Sequence, residues 1–242
     1  MRTLGKLLFL IPALVALHSG AQTLTSYTTL GQPGDTYNTS GGWLVNGSAN
    51  PPEPFVGEAF AFTATASGYL NQLNLAISAG SGNLASDLAN ISIAVNKSGN
   101  LPGTTLESFL NVPCPGQFGA DNPITSLTSI VDPFLQSGNT YWLCVVAALP
   151  SADIVVNQNS LGVLAPQAQE FSPSAWIARG NKSTFAFDVE VSEVPEPCTT
   201  ALAALGIPVL LRPLVRRFHF DFCKPRKTKA STGELNGSLS GE

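Results

Sequence analysis

Between residues 22 and 193 the chain offers twelve carboxylates, two cysteines and no histidine for chemistry. His18 and His219 both lie outside that stretch. Ser-His-Asp and Cys-His catalysis need an imidazole to take the nucleophile's proton, so neither is available there. Zinc sites depend on His or clustered Cys, and no cysteine pair has metal-ligand spacing. We therefore expect no metal and no cofactor. Carboxylate chemistry remains. Glycoside hydrolysis needs two carboxyl groups, one on either side of the scissile bond. Asp188 and Glu190 share one face of a strand, as i and i+2 do. A solvated outer face is the simpler reading of that pair, and no catalytic residue is assigned. Asp121-Asn122, in a loop from Gly116 to Ser126, and the nearby Asp132 supply oxygens of the kind calcium takes. There is no EF-hand or nonapeptide repeat to support such a site.

Two further residue sets carry possible function. Cys114 and Cys144 are expected to pair; they would close a loop of about 30 residues, worth about 3–4 kcal/mol. The alternative is two buried free thiols. Sugars stack on exposed aromatic rings and bond to Asn, Asp and Gln. Tyr37 and Trp43 lie in or beside a Gly/Ser/Thr-rich segment, and Trp176 follows the Ser172–Ser174 loop. These three are the candidate ligand contacts, provided that they are exposed rather than core. Trp142, inside a strong strand pattern, reads as core.

The elements that must position these residues are strands. Ile91, Ile93 and Val95 alternate with polar or small residues, as do Leu73, Leu75 and Ile77, and Phe185, Phe187, Val189 and Val191. This is the period of a strand with one face buried. Ser67-Gly68, Ser98-Gly99-Asn100, Leu101-Pro102-Gly103, Ser137-Gly138-Asn139 and Gly180-Asn181 read as turns between strands. Many short strands with such punctuation predict an all-β antiparallel sandwich or jelly roll over residues 22–193. The whole chain has 242 residues and a net charge of −4, with 12% charged residues against a usual share of roughly 25%. Residues 22–193 hold three basic and twelve acidic side chains, a net −9. Such a surface disfavours polyanions, so no nucleic-acid partner is expected.

Both ends read as addresses. Arg2 and Lys6, an apolar run from Leu7 to Leu17 and Ser19-Gly20-Ala21 have the form of a secretory signal over residues 1–21, cleaved after Ala21. Cys198 to Leu211 is uncharged and is followed by Arg212, Arg216 and Arg217. Excess Lys and Arg mark the cytoplasmic side of a span. This predicts a single transmembrane helix within residues 194–217 and a disordered basic cytoplasmic tail over 218–242.

Pro195-Glu196-Pro197, the apolar run and Arg216-Arg217 resemble the PEP-CTERM sorting tail, although the chain continues past the arginines. Val56-Gly57-Glu58-Ala59-Phe60, Leu101-Pro102-Gly103-Thr104-Thr105-Leu106 and Leu135-Gln136-Ser137-Gly138-Asn139-Thr140-Tyr141-Trp142-Leu143 resemble the choice-of-anchor domain family, type R. The resemblance implies a secreted β-sandwich without an established catalytic set. It also implies a Gram-negative bacterium, with signal peptidase and an exosortase as partners during passage through the inner membrane. The expected function is thus a non-enzymatic, sorted protein of the cell surface or extracellular matrix, associated with exopolysaccharide. The alternatives are a carbohydrate-binding module with an aromatic platform and, behind it, a carboxylate-dependent glycoside hydrolase.

Overall fold

The computed structural model describes residues 22–49, 55–171 and 175–193. They form β1 (Thr23–Thr28), β2 (Tyr37–Asn46), β3 (Gly57–Thr63), β4 (Gly68–Leu75), β5 (Ile77–Ala79), β6 (Leu88–Lys97) and β7 (Leu101–Pro113). There follow β8 (Thr125–Thr128), β9 (Phe134–Leu135), β10 (Thr140–Ala147), β11 (Asp153–Asn159), β12 (Leu164–Glu170), β13 (Trp176–Ser183) and β14 (Phe187–Ser192). The strands build three antiparallel sheets. The largest has the order β13-β12-β3-β10-β6-β7. A second runs β1-β14-β4-β8, with β9 also on β4, and a third runs β2-β11-β5.

One core joins all three sheets. Alternation aims Phe60 and Phe62 of β3, Ile91 and Ile93 of β6, and Tyr141, Leu143 and Val145 of β10 to one side of the largest sheet. They meet Leu70, Leu73 and Leu75 of β4, Phe187, Val189 and Val191 of β14, and Ile154 and Val156 of β11. Phe60 stands edge-on to Phe185 with centroids 4.7 Å apart. Each such side chain contributes about 1.5–3 kcal/mol through burial. The reverse face of the largest sheet holds a smaller cluster. Ala59, Ala61, Ala94 and Ala168 leave room for one large ring, Trp142, which is fully buried. Its indole N–H donates to Asn96 Oδ1 at 2.9 Å, so the polar atom is not stranded.

Several expectations are corrected. Residues 1–21, including the cleavage site at Ala21, and residues 194–242, including Pro195, Glu196, Pro197, Arg216 and Arg217, lie outside the described residues. Among the described residues there is no helix, hence none long and apolar enough to cross a membrane. The physical reason is the pattern itself: period-2 alternation runs through the described chain and leaves no helical apolar stripe. The described residues form a three-sheet, sandwich-like all-β domain, and neither the expected signal helix nor the expected transmembrane helix is found among them. The sorted surface or matrix function, the exosortase and signal peptidase partners, passage through the inner membrane and the Gram-negative cell-surface location all needed those helices. With no such helix among the described residues, these readings are withdrawn.

Local corrections are smaller. Leu101-Pro102-Gly103 opens β7 rather than making a turn, and Gly180 lies inside β13 at φ 76°, beside an irregularity in its pairing with β12. The run Leu73–Ile77 breaks at Ala76, whose N–H donates to Ala186 O and whose carbonyl accepts from Asn157 N–H, and so it divides between two sheets. Cys114 and Cys144 are buried free thiols, so the expected disulfide is not formed. Cys114 belongs to the shared core and Cys144 to the cluster around Trp142, on opposite faces of the largest sheet. Burial pushes both thiols up to about 12.

Candidate functional site

The outward face of the β1-β14-β4-β8 sheet is built from cross-strand rows. Because Phe187, Val189 and Val191 face the core, Asp188, Glu190 and Ser192 face out. Register then fixes their neighbours. Asp188 stands between Thr28 and Asn74, with Ser126 beyond. Glu190 stands between Thr25 and Gln72, with Thr128 beyond. Ser192 stands between Thr23 and Tyr69, with Phe134 beyond. The first two rows contain only Ser, Thr, Asn, Gln, Asp and Glu. The third ends in two aromatic rings.

Those rings are exposed. Tyr69 is 48% and Phe134 47% accessible, and they meet edge-on with centroids 5.5 Å apart and planes at 72°. Tyr69 points outward because β4 carries an extra residue, Asn71, opposite the Glu190–Val191 step. A bulge of this kind re-aims the side chains beyond it. Beside the rings, a cavity of about 500 Å³ is lined by Tyr69, Leu70, Asn71, Val131, Asp132 and Ser192. Its far wall is held by Glu107 of β7. This buried carboxylate accepts from Ile130 N–H at 2.6 Å, Val131 N–H at 3.2 Å and the Ser129 hydroxyl.

Polar side chains on the sheet are cross-linked. Gln72 Nε2 donates to Asn74 Oδ1 at 2.7 Å, and Asn74 Nδ2 reaches Glu190 Oε1 at 3.4 Å. Asp188 Oδ1 is shielded from solvent and has no partner. Burial pushes the Asp188 carboxyl up to about 6; the negative charges of Glu190 and Asp35 add to this, and hydrogen bonding from Asn74 opposes it. Asp35 comes from the hairpin after β1, closed by the Gly31–Thr36 bridge. It also lines a cavity of about 630 Å³ with Thr36, Tyr37, Thr39, Asp121 and Asn122.

The candidate contacts from the sequence are scattered. Tyr37 lines that second cavity, but its hydroxyl is committed: it accepts from Asn122 N–H at 2.6 Å and donates to Asn122 O at 2.8 Å. Trp43 is half-buried against Phe60, with centroids 5.7 Å apart, and its indole N–H donates to Ser183 O at 2.8 Å. Trp176 is half-buried against the cluster around Trp142. The three do not form a platform. Asp121 and Asp132 line different cavities, so the calcium ligand set does not assemble. Among the described residues no group of three or more His, Cys, Asp or Glu could hold a metal. Sequence reasoning missed Tyr69 and Phe134, and placed Asp188 and Glu190 on one strand face without assigning them a role. No family model matches the chain, and no curated protein matches it either.

Proposed function

We propose that the domain binds carbohydrate, along the outward face of the β1-β14-β4-β8 sheet. The observation that carries this is the exposed Tyr69–Phe134 pair at the end of a face otherwise made of amides, hydroxyls and carboxylates. A sugar ring is apolar on its faces and polar around its rim. An exposed aromatic ring takes the first, and Gln72, Asn74, Glu190 and Ser192 suit the second. Convergent polar groups beside an aromatic surface are the general composition of small-molecule sites. The Trp43 and Trp176 form of the platform is replaced by this one.

Binding is favoured over hydrolysis by the placement of the acids. Asp188 and Glu190 rise from one face of one strand, so a sugar laid on that face meets both from the same side. Hydrolysis needs acid and base on either side of the bond. The test is affinity electrophoresis and calorimetry against a panel of polysaccharides, with Tyr69→Ala as the comparison. Retardation by at least one glycan that weakens in Tyr69→Ala supports the reading. Equal mobility of both proteins in every glycan overturns it.

A further inference from the structure

The cavity beside the aromatic pair says which glycans the face takes, an inference that rests on the reading above. We propose that this cavity holds the acetamido group of an N-acetylated amino sugar whose ring lies on Tyr69 and Phe134. Its volume of about 500 Å³ falls within the usual range for ligand pockets, roughly 300–1,000 Å³. Its lining is mixed: Tyr69, Leu70 and Val131 are apolar, and Asn71, Asp132 and Ser192 are polar. Ser192, Tyr69 and Phe134 stand in one cross-strand row, so the cavity adjoins the stacking surface directly.

The cavity wall is fixed in advance. Residues 129–133 are pinned to β4 at both ends: Ser129 N–H donates to Asn71 O and Leu70 N–H donates to Pro133 O, each at 2.9 Å. Between these anchors Asp132 N–H donates to Ser129 Oγ at 3.0 Å, and Glu107 holds the Ile130 and Val131 amides. Val131 is thereby kept 64% exposed, an apolar side chain held in water at the cavity. Among the described residues, the side chains of Asn71, Asp132 and Ser192 and the Tyr69 hydroxyl have no hydrogen-bond partner. All four residues are exposed or half-exposed, so these groups are open to a ligand.

An acetamido group answers each part of that wall. Its methyl suits Val131, its N–H donor suits the Asp132 carboxylate, and its carbonyl accepts from the Asn71 amide or the Ser192 hydroxyl. The other common substituents answer less of it. A bare hydroxyl leaves Val131 uncovered. An ammonium pairs with Asp132 but brings its charge against Val131, where it loses water without a partner. A carboxylate meets Asp132 as a like charge, and no Lys or Arg occurs in β4, β9, β14 or residues 129–133 to offset it.

Calorimetry of the full chain with hexamers of N-acetylglucosamine, glucosamine and glucose tests this. One buried methyl and one added hydrogen bond together correspond to about tenfold or more in affinity, so the N-acetylglucosamine hexamer should exceed each of the others by at least that margin. Val131→Ser and Asn71→Ala should each cut the margin to about threefold or less. Tyr69→Ala should instead weaken all the hexamers together. Circular dichroism melts identify any variant that fails to fold, and the comparison of hexamers on the unaltered protein then decides. Equal binding of the N-acetylglucosamine and glucose hexamers overturns the acetamido assignment and leaves the carbohydrate reading standing. Glucosamine hexamer binding as tightly as the N-acetylated one overturns it as well, since the acetyl group would then contribute nothing. A margin that survives intact in both Val131→Ser and Asn71→Ala removes the group from this cavity. No binding of any sugar overturns both readings.

Discussion

The ring of Phe134 stands edge-on to the ring of Tyr69, 5.5 Å between centroids, with both rings open to solvent. Neither ring supports much of the core, so function and stability separate here. Tyr69→Ala and Phe134→Ala should each weaken glycan binding about three- to tenfold. Thermal midpoints should move little. Trp43→Ala should do the reverse, costing about 3 kcal/mol of stability, because that ring packs on Phe60 and its N–H is spent on Ser183. Titration calorimetry and chemical denaturation on the three variants check both halves.

Glu107 is buried and serves three donors from residues 129–131. Glu107→Ala removes all three acceptor contacts and should cost about 2–3 kcal/mol. It should also raise hydrogen exchange at the Ile130 and Val131 amides before the rest of the domain opens. Ile130 and Val131 are strongly exposed, so their present order comes from that carboxylate rather than from packing. Unchanged exchange at these two amides would show that the loop holds itself.

Glu58 gives the domain an acid-side stability maximum. Its carboxyl is buried and pushed up to about 7 by that burial, against hydrogen bonds from Gln169 and Gln167 and the charge of Arg179. A group whose folded pKa lies above its unfolded value binds more protons when folded. Its contribution is full below the unfolded value near 4.5 and is lost as pH rises to about 7. Asp188 acts in the same sense, from its ordinary value up to about 6. Unfolding free energy should therefore fall between about pH 4.5 and pH 7, by roughly 2–3 kcal/mol for Glu58. Glu58→Gln should flatten that part of the profile. Urea titrations across this range, on both proteins, measure it.

The thiols of Cys114 and Cys144 should resist alkylation at pH 8, since burial pushes both up to about 12. Peptide mapping after alkylation should show both unmodified in the native protein and both modified in urea. Reductant should leave the melting point unchanged. A melting point that drops on reduction would reveal a bridge and sink this account.

Local pattern was enough for the alternating stretches that become β4, β6 and β14, and for the outward pair. Phe187, Val189 and Val191 fix Asp188 and Glu190 on the opposite face by alternation alone, whatever the strand pairs with. Tyr69 was not legible in that way. Counting back by twos from Leu75 and Leu73 puts Tyr69 inward, and only the extra residue at Asn71 sends it out. Its meeting with Phe134 depends on pairing between β4 and the two-residue β9, too short to show a period. Trp43 and Trp176 misled for a related reason. Both lie among small polar residues, yet long-range packing against Phe60 and the alanine cluster half-buries them. The cysteines failed on geometry: their spacing allows a loop, but a sheet stands between them.

Both neighbours of β14 are one residue too long for a regular ladder, β1 at Ser26 and β4 at Asn71. The geometry of this outward face consequently depends on strand length as well as on residue type. Loss of the single codon for Asn71 would close the ladder and still leave Tyr69 out and Leu70 in, since Leu73, Gln72, Leu70 and Tyr69 would then alternate regularly against β14. Both rings would keep their face after such a deletion, while Asn71 and the local twist of the bulge would be lost from beside them. Alanine scanning leaves strand length untouched; a single-residue deletion at Asn71 separates the twist of the bulge from the identity of the rings.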